Sequence, residues 1–226
     1  MKNKDTSVNQ ITEGVIWKQL LFFFFPIMLG TLFQQLYNTA DAVVVGRFVG
    51  TRALAAVGGS TGQMVNLLVN FFVGLASGAT VIIARYYGAK KEKELNDTLH
   101  TAAALSVAGG IIISIAGILL APFMMELLKT PADVIEDSII YLRIYFAGII
   151  FVFIYNVGSA ILRAVGDSTR PLYFLIVCCF LNIFLDVILV VGMNLGVAGA
   201  AIATVVSQAV SAVLVIRALM KSKDLY

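Results

Sequence analysis

Charge is scarce in this chain. Asp, Glu, Lys and Arg together make up 13% of its 226 residues, against about 25% in a typical soluble domain. There is one histidine, His100, and it falls at the edge of an apolar run, so a serine–histidine pair at membrane depth is excluded. No glycine-rich phosphate loop ending in Lys-Ser or Lys-Thr exists, which argues against direct use of ATP. The two cysteines, Cys178 and Cys179, are adjacent inside an apolar run and read as small core residues, neither a disulfide nor a metal site. The net charge is +3 and the basic residues form short clusters between apolar blocks. That pattern orients a membrane protein and does not suggest nucleic-acid binding.

What is abundant is apolar length. Hydrophobic residues reach 60% and mean hydropathy is +0.94. The blocks predict an all-α polytopic membrane protein with six transmembrane helices, at about 17–45, 53–84, 98–125, 138–162, 171–192 and 195–216. Residues 1–16 read as a polar or interfacial segment anchored by Trp17, and 217–226 as a tail or the start of a connection to a further part. The first block is too long for the h-region of a signal peptide and lacks a small-residue cleavage site, so it is expected to stay as a span. Thr130-Pro131-Ala132-Asp133 reads as the start of the fourth helix, with Thr130 as N-cap. Gly58-xxx-Gly62 and Gly74-xxx-Gly78 are expected to permit close helix approach, as is the Gly196, Gly199, Ala200, Ala203 surface.

Basic residues set the orientation. With six spans and a cytoplasmic N-terminus, twelve of the 16 Lys and Arg lie inside. Only Arg47, Arg52, Lys129 and Arg143 lie outside. Both termini are then cytoplasmic, in an inner or cytoplasmic cell membrane.

Against this background a few polar residues stand out. The stretch from Leu20 to Gly50 is apolar enough to span a bilayer, yet carries Gln34, Asn38 and Asp41 at i, i+4, i+7, on one helix face. A carboxylate at the centre of a span costs roughly 2.5–3.5 kcal/mol on insertion scales, so a span that keeps one usually has a use for it. Pro26, in the same span, is expected to kink the helix or act as a hinge. Gln63, Asn66 and Asn70 form a second stripe, and Thr204, Gln208 and Ser211 a third. Of the 13 acids, only Asp41 and Asp186 fall well inside spans. Both spans run from inside to outside, and both acids lie in the outer half. Asn182 is one turn below Asp186, Thr204 reaches a similar depth, and Asn156 lies deeper on the fourth span. A bundle gathering Asp41, Asn156, Asn182, Asp186 and Thr204 would enclose a polar pocket, closed towards the cytoplasm by packed apolar helix. Carboxylate, amide and hydroxyl oxygens suit a hard cation, and the same carboxylates could carry protons.

Three segments carry a resemblance: YNTADAVVVGRFVGTRALAAVG (37–58), ILRAVGDSTRPLYF (161–174) and LNIFLDVILV (181–190). Together they resemble the amino-terminal lobe of the multidrug and toxic compound extrusion (MATE) transporters, over nearly the whole chain. The resemblance implies two six-helix lobes related by a pseudo-two-fold axis and working by alternating access. It also implies export of cationic or amphipathic small molecules in exchange for Na⁺ or H⁺, with no other cofactor and no enzymatic activity. The family's first-helix acid matches Asp41, its hinge proline matches Pro26, and its amino-lobe cation site, a Na⁺ candidate, resembles Asn156, Asn182, Asp186 and Thr204. Gln34, Asn38, Gln63, Asn66, Asn70 and Gln208 would line the substrate path.

One departure is plain: six spans stand where the family has twelve. The partner is then expected to be a second six-helix lobe, either a missing carboxyl-terminal half or another copy of the chain. The alternatives are a channel-like or structural six-helix membrane subunit, or a relative of lipid-linked substrate flippases. A faint echo between 37–52 and 155–170 hints at an inverted internal repeat.

Overall fold

The computed structural model describes residues 15–221. Residues 1–14 and 222–226, with three of the twelve Lys and Arg expected inside (Lys2, Lys4 and Lys223), lie outside the described residues. Within them the chain is helical with no strand, and six helices are long and apolar enough to cross a membrane. Only such a structure satisfies every backbone N–H and C=O of an apolar segment internally.

Span one is α1 (Ile16–Val44), which runs on into a π-helical turn, Val45–Val49. Gly50 follows with φ of 120°, where a side chain would be strained. Span two is in two pieces, α2 (Thr51–Gly58) and α3 (Ser60–Gly88), broken at Gly59. Then come α4 (Glu92–Leu127) and α5 (Ile135–Ala164). Next is α6 (Thr169–Asp186) with a second π-helical turn, Val187–Gly192, and last α7 (Gly196–Lys221). The third helix starts at Glu92 rather than near residue 98. Glu92 and Glu94 fill its first turn, where the positive end of the helix favours carboxylates.

The fourth helix does not start at Thr130. Thr130 instead donates to Met125 Sδ at 3.7 Å, residues 132–134 make a turn, and Glu136 and Asp137 occupy the first turn of α5. The N-cap position falls to Val134, with no side-chain cap. Leu162 O accepts from Asp167 N, and Asp167 Oδ1 accepts from the N–H groups of Thr169 and Arg170, which turns the chain from α5 into α6.

The core is lopsided. Spans four and six bury 50% and 56% of their most apolar stretch, span one only 6%. α5 is the hub, packing against α3, α4 and α7, while α1 leans mainly on α6. Close approach is made where α5 meets α7: a Cβ on Gly148 would sit 2.4 Å from Val205 Cγ1. Gly199, Ala200 and Ala203 are buried as their spacing predicts. The glycines of span two correct the other expectation. Nothing lies within 4 Å of where Gly58, Gly74 or Gly78 would carry a side chain, so these residues face outwards and close no contact inside this chain.

Candidate functional site

The two membrane aspartates meet. Asp41 comes from α1 and Asp186 from the last residue of α6, helices that pack side by side. Asp41 is 6% exposed and Asp186 0%. The Asp41 carboxyl faces Asp186, Asn182 and Thr204. Thr204 Oγ1 donates to Asp41 Oδ2 at 3.3 Å, and Asn182 Nδ2 donates to Thr204 Oγ1 at 3.5 Å. The same hydroxyl lies 3.1 Å from Ala200 O, one turn back on its own helix. Thr204 has one proton, so it can serve Asp41 or Ala200 but not both at once.

Four acceptor oxygens are left over. Asp41 Oδ1, Asn182 Oδ1 and both oxygens of Asp186 are buried, and no protein group donates to them. Two facing carboxylates are both acceptors and can bond to each other only by sharing a proton. Among the described residues no basic side chain forms an ion pair with them. The ion pairs recorded among the described residues, Lys91–Glu94 and Arg170–Asp167, lie near the loops. Two carboxyl groups, an amide oxygen and a hydroxyl, buried together, can be satisfied by shared protons or by a cation from outside the protein. An all-oxygen set suits a hard ion such as Na⁺, or a proton.

Both aspartates sit at the mouth of an irregular turn. Asp41 lies four residues before the π-helical turn of span one, and Asp186 directly precedes that of span five. The two turns touch each other. Such single π-turns recur at functional sites because they rotate the side chains after them and loosen the backbone ladder. Nothing in the residue pattern announced them.

Three tyrosines complete the wall. Tyr37 and Tyr141 are buried beside the pair, Tyr141 next to Asp41, Asp186 and Thr204, and Tyr145 is buried behind these two rings. The rings of Tyr141 and Tyr145 stack at 6.4 Å with 11° between planes. In the sequence they look like ordinary aromatics of an apolar span. The available signal was spacing: Tyr37 precedes Asp41 by four residues on the same face, and Tyr141 and Tyr145 are themselves i, i+4.

Not every expected residue joins. Asn156 does not meet the cluster. Its amide donates to Val152 O at 2.8 Å on its own helix, and its side chain lines a separate crevice with Phe72, Ala102, Ser106 and Phe153. Position 156 lies on the side of α5 that meets α3 and α4, away from α6 and α7. Asp41 stands with Asn182, Asp186 and Thr204 in its place. Gln208 is buried one turn below Thr204. Gln34, Asn38, Gln63, Asn66 and Asn70 are exposed on spans one and two, where Asn38 Nδ2 reaches only Gln35 Oε1 at 3.3 Å. Pro26 lies within an unbroken helix, in its little-buried amino-terminal half.

The MatE family model matches residues 26–188. The chain is 34% identical over 196 residues to the probable multidrug resistance protein YoeA of Bacillus subtilis, covering 85% of this chain and 42% of that protein. It is 26% identical over 225 residues to the multidrug export protein MepA of Staphylococcus aureus, covering 98% and 49%. Among solved structures it is similar to a multidrug resistance MATE family transporter of the MOP superfamily in an outward-facing conformation. There the TM-score is 0.87 at 30% identity, over 97% of this chain and 48% of that one. The chain spans about half the length of the curated relatives it matches.

Proposed function

This chain belongs to the MatE family, and we propose that it works as one six-helix lobe of a secondary transporter that exports cationic or amphipathic drugs in exchange for Na⁺ or H⁺. The observation that carries this reading is the Asp41–Asp186 pair: two buried, facing carboxyls with no ion-pair partner among the described residues and four unserved acceptor oxygens around them. The coupling ion is cargo. Asp41, Asn182, Asp186 and Thr204 would hold it, with Ala200 O as the alternative acceptor for the Thr204 proton. Binding the ion removes the repulsion between the carboxylates and lets α1 and α6 close on each other. Release restores the repulsion and favours opening. The two π-helical turns and Pro26 are the places where these spans bend with least cost.

The second lobe is required for exchange. Alternating access needs two bodies that rock around a shared site, and a drug-sized cleft lies between such bodies. The exposed amides of spans one and two are the face that a second lobe would cover, either the other half of a longer chain or a second copy. The twelve-to-four basic bias supports a topology with both termini and the 85–97 loop in the cytoplasm.

The deciding experiment reconstitutes the protein with its second lobe and measures efflux of a fluorescent organic cation under an imposed Na⁺ or proton gradient. Efflux against the drug's own gradient, lost in the Asp41→Asn/Asp186→Asn double variant, is the expected outcome. Flux that runs only downhill, with no fixed exchange ratio, would make the protein a channel. Orientation is checked by two single-cysteine variants. Lys91→Cys should react only from the cytoplasmic side and Asp133→Cys only from outside, and reaction of both from one side overturns the six-span topology.

A further inference from the structure

The residue pattern leads one to expect packed apolar helix between the aspartates and the cytoplasmic end of the bundle. The structure places a line of buried polar groups there, along the seam of α5, α6 and α7. Below Thr204 on α7 come Gln208 and Ser211, 7% and 0% exposed. At about 1.5 Å per residue they carry the line roughly 10 Å inward. No protein group donates to Gln208 Oε1. Ser211 donates to Phe174 O at 3.4 Å and neighbours the thiol of Cys178, which lies two turns inward of Asp186. Beyond Cys178 stands Tyr155, whose hydroxyl donates to Pro171 O at 3.2 Å and which neighbours Ser159 and Arg163. Ser159 is 1% exposed, and its Oγ lies beside the Tyr155 hydroxyl with no well-formed hydrogen bond. Arg163 closes α5 at the 163–170 loop.

A polar atom at every turn of a seam between apolar helices is not what packing alone selects. Leaving a buried acceptor unserved costs about 1–3 kcal/mol. Gln208 Oε1 and Ser159 Oγ are the seam atoms left without a well-formed hydrogen bond, and water is a partner that can serve each. We propose that this seam is a file of water connecting the Asp41–Asp186 pair to the basic end of the bundle, a route for the small coupling ion and too narrow for the drug. It rests on the reading that the pair binds such an ion. Gln208 hands the ion or its water on from Thr204, and Ser211, Ser159 and Tyr155 carry it past Cys178 to the Arg163 loop. The drug would travel between lobes while the ion enters or leaves within one lobe, so the two cargoes need not share a doorway.

The native thiol on the seam supplies the test. In the chain carrying Cys179→Ser, Cys178 is the one thiol. Sealed vesicles of both orientations are exposed to Ag⁺, a thiol-reactive ion close to the size of a coupling cation. The protein is then unfolded and its remaining free thiol counted with a maleimide. We expect Cys178 to react at least tenfold faster from the side on which Lys91→Cys is labelled than from the other. Ser159→Leu, which fills the seam, should slow that rate at least tenfold, and Ser159→Ala, which keeps the volume, by about threefold. No reaction of Cys178 from the Lys91 side, equal rates from both sides, or a rate untouched by both Ser159 variants overturns the proposal. The sidedness comparison needs only Cys179→Ser, so it stands even if Ser159→Leu fails to fold. Labelling requires neither drug nor gradient. Labelled protein that exports nothing would therefore sink the transporter reading alone, and an exporter that fails the labelling test would sink the water route alone.

Discussion

Two sets of polar residues in this chain look alike in sequence and behave differently in the fold. Asp41, Asn182, Asp186 and Thr204 are gathered among α1, α6 and α7 and are all at most 6% exposed. Gln34, Asn38, Gln63, Asn66 and Asn70 stand at the same helical spacings on spans one and two, and all are exposed. The first set is finished within the chain except for a positive charge. The second is unfinished at the level of protein: amides facing hydrocarbon cost free energy unless another surface meets them. The difference separates a polar cluster closed within this chain from polar residues left open on its surface.

The sharpest way to break the comparison is to neutralise the first set. Asp41→Asn together with Asp186→Asn keeps the shapes and removes the charge. Losing charged ligands of this kind costs about 3–5 kcal/mol, so coupling-ion affinity should fall on the order of several-hundredfold. Isothermal titration on purified protein measures it. Singly, Asp186→Asn should cost more than Asp41→Asn, because Asp41 Oδ2 keeps the Thr204 hydroxyl while neither oxygen of Asp186 has a donor. Equal affinity of the double variant and the parent would remove the pair from the mechanism. Matching changes on the open face, such as Gln34→Leu, should leave ion affinity unchanged.

Packing gives the next largest contrast. Gly148→Val would drive a side chain into Val205, 2.4 Å from the new Cβ, and should cost about 1–3 kcal/mol of stability. Gly78→Val meets nothing within 4 Å and should change the stability of the isolated chain by under about 0.5 kcal/mol. Unfolding in mixed detergent micelles compares the two. A large loss from Gly78→Val would mean that span two is covered by this chain after all.

These contrasts also mark what could be read from the residues. The six spans were legible because nothing but a membrane helix tolerates such runs of apolar residues. Asp41 and Asp186 were legible because charge is so rare there. The assembly was not. Helical spacing tells which residues share a face but not which neighbour that face meets, and so Asn156 was expected at the pair but turns towards α3 and α4. Thr130 carried every mark of an N-cap, yet a nearby sulfur took its hydroxyl and the helix began five residues later. The tyrosines hid because aromatic residues are the commonest filling of an apolar span. The π-helical turns hid because a one-residue change in hydrogen-bond register leaves no mark in composition.

Within the ion site, Thr204 is a finer probe. Thr204→Val is nearly isosteric and deletes an oxygen placed between Asp41, Asn182 and Ala200 O. One uncharged hydrogen-bonding ligand is worth about 1–1.5 kcal/mol, so ion affinity should drop roughly five- to tenfold. Thr204→Ser keeps the oxygen and should shift affinity less than about threefold. If valine and serine bind the ion equally, the hydroxyl only holds α7 in place and Asp41, Asn182 and Asp186 make the site without it.

The smallest effect belongs to the open face, and its sign matters more than its size. Asn66→Leu with Asn70→Leu removes two amides that span two presents outwards. In a membrane each interhelical side-chain hydrogen bond averages only about 0.6 kcal/mol, so the pair is worth roughly 1 kcal/mol, about a fivefold change in association. In the chain alone those amides have nothing to bond with, and leucine is the cheaper residue in hydrocarbon. The isolated chain should therefore be as stable as the parent or slightly more so, while its pairing with a second lobe, or with its own copy, weakens about fivefold. Energy transfer between labelled chains in vesicles at varied protein-to-lipid ratio reads the pairing, and detergent unfolding reads the stability. A variant that loses stability on its own and pairs as well as the parent would reverse the assignment. The stripe would then belong to the interior of this lobe, and the second lobe would have to dock elsewhere.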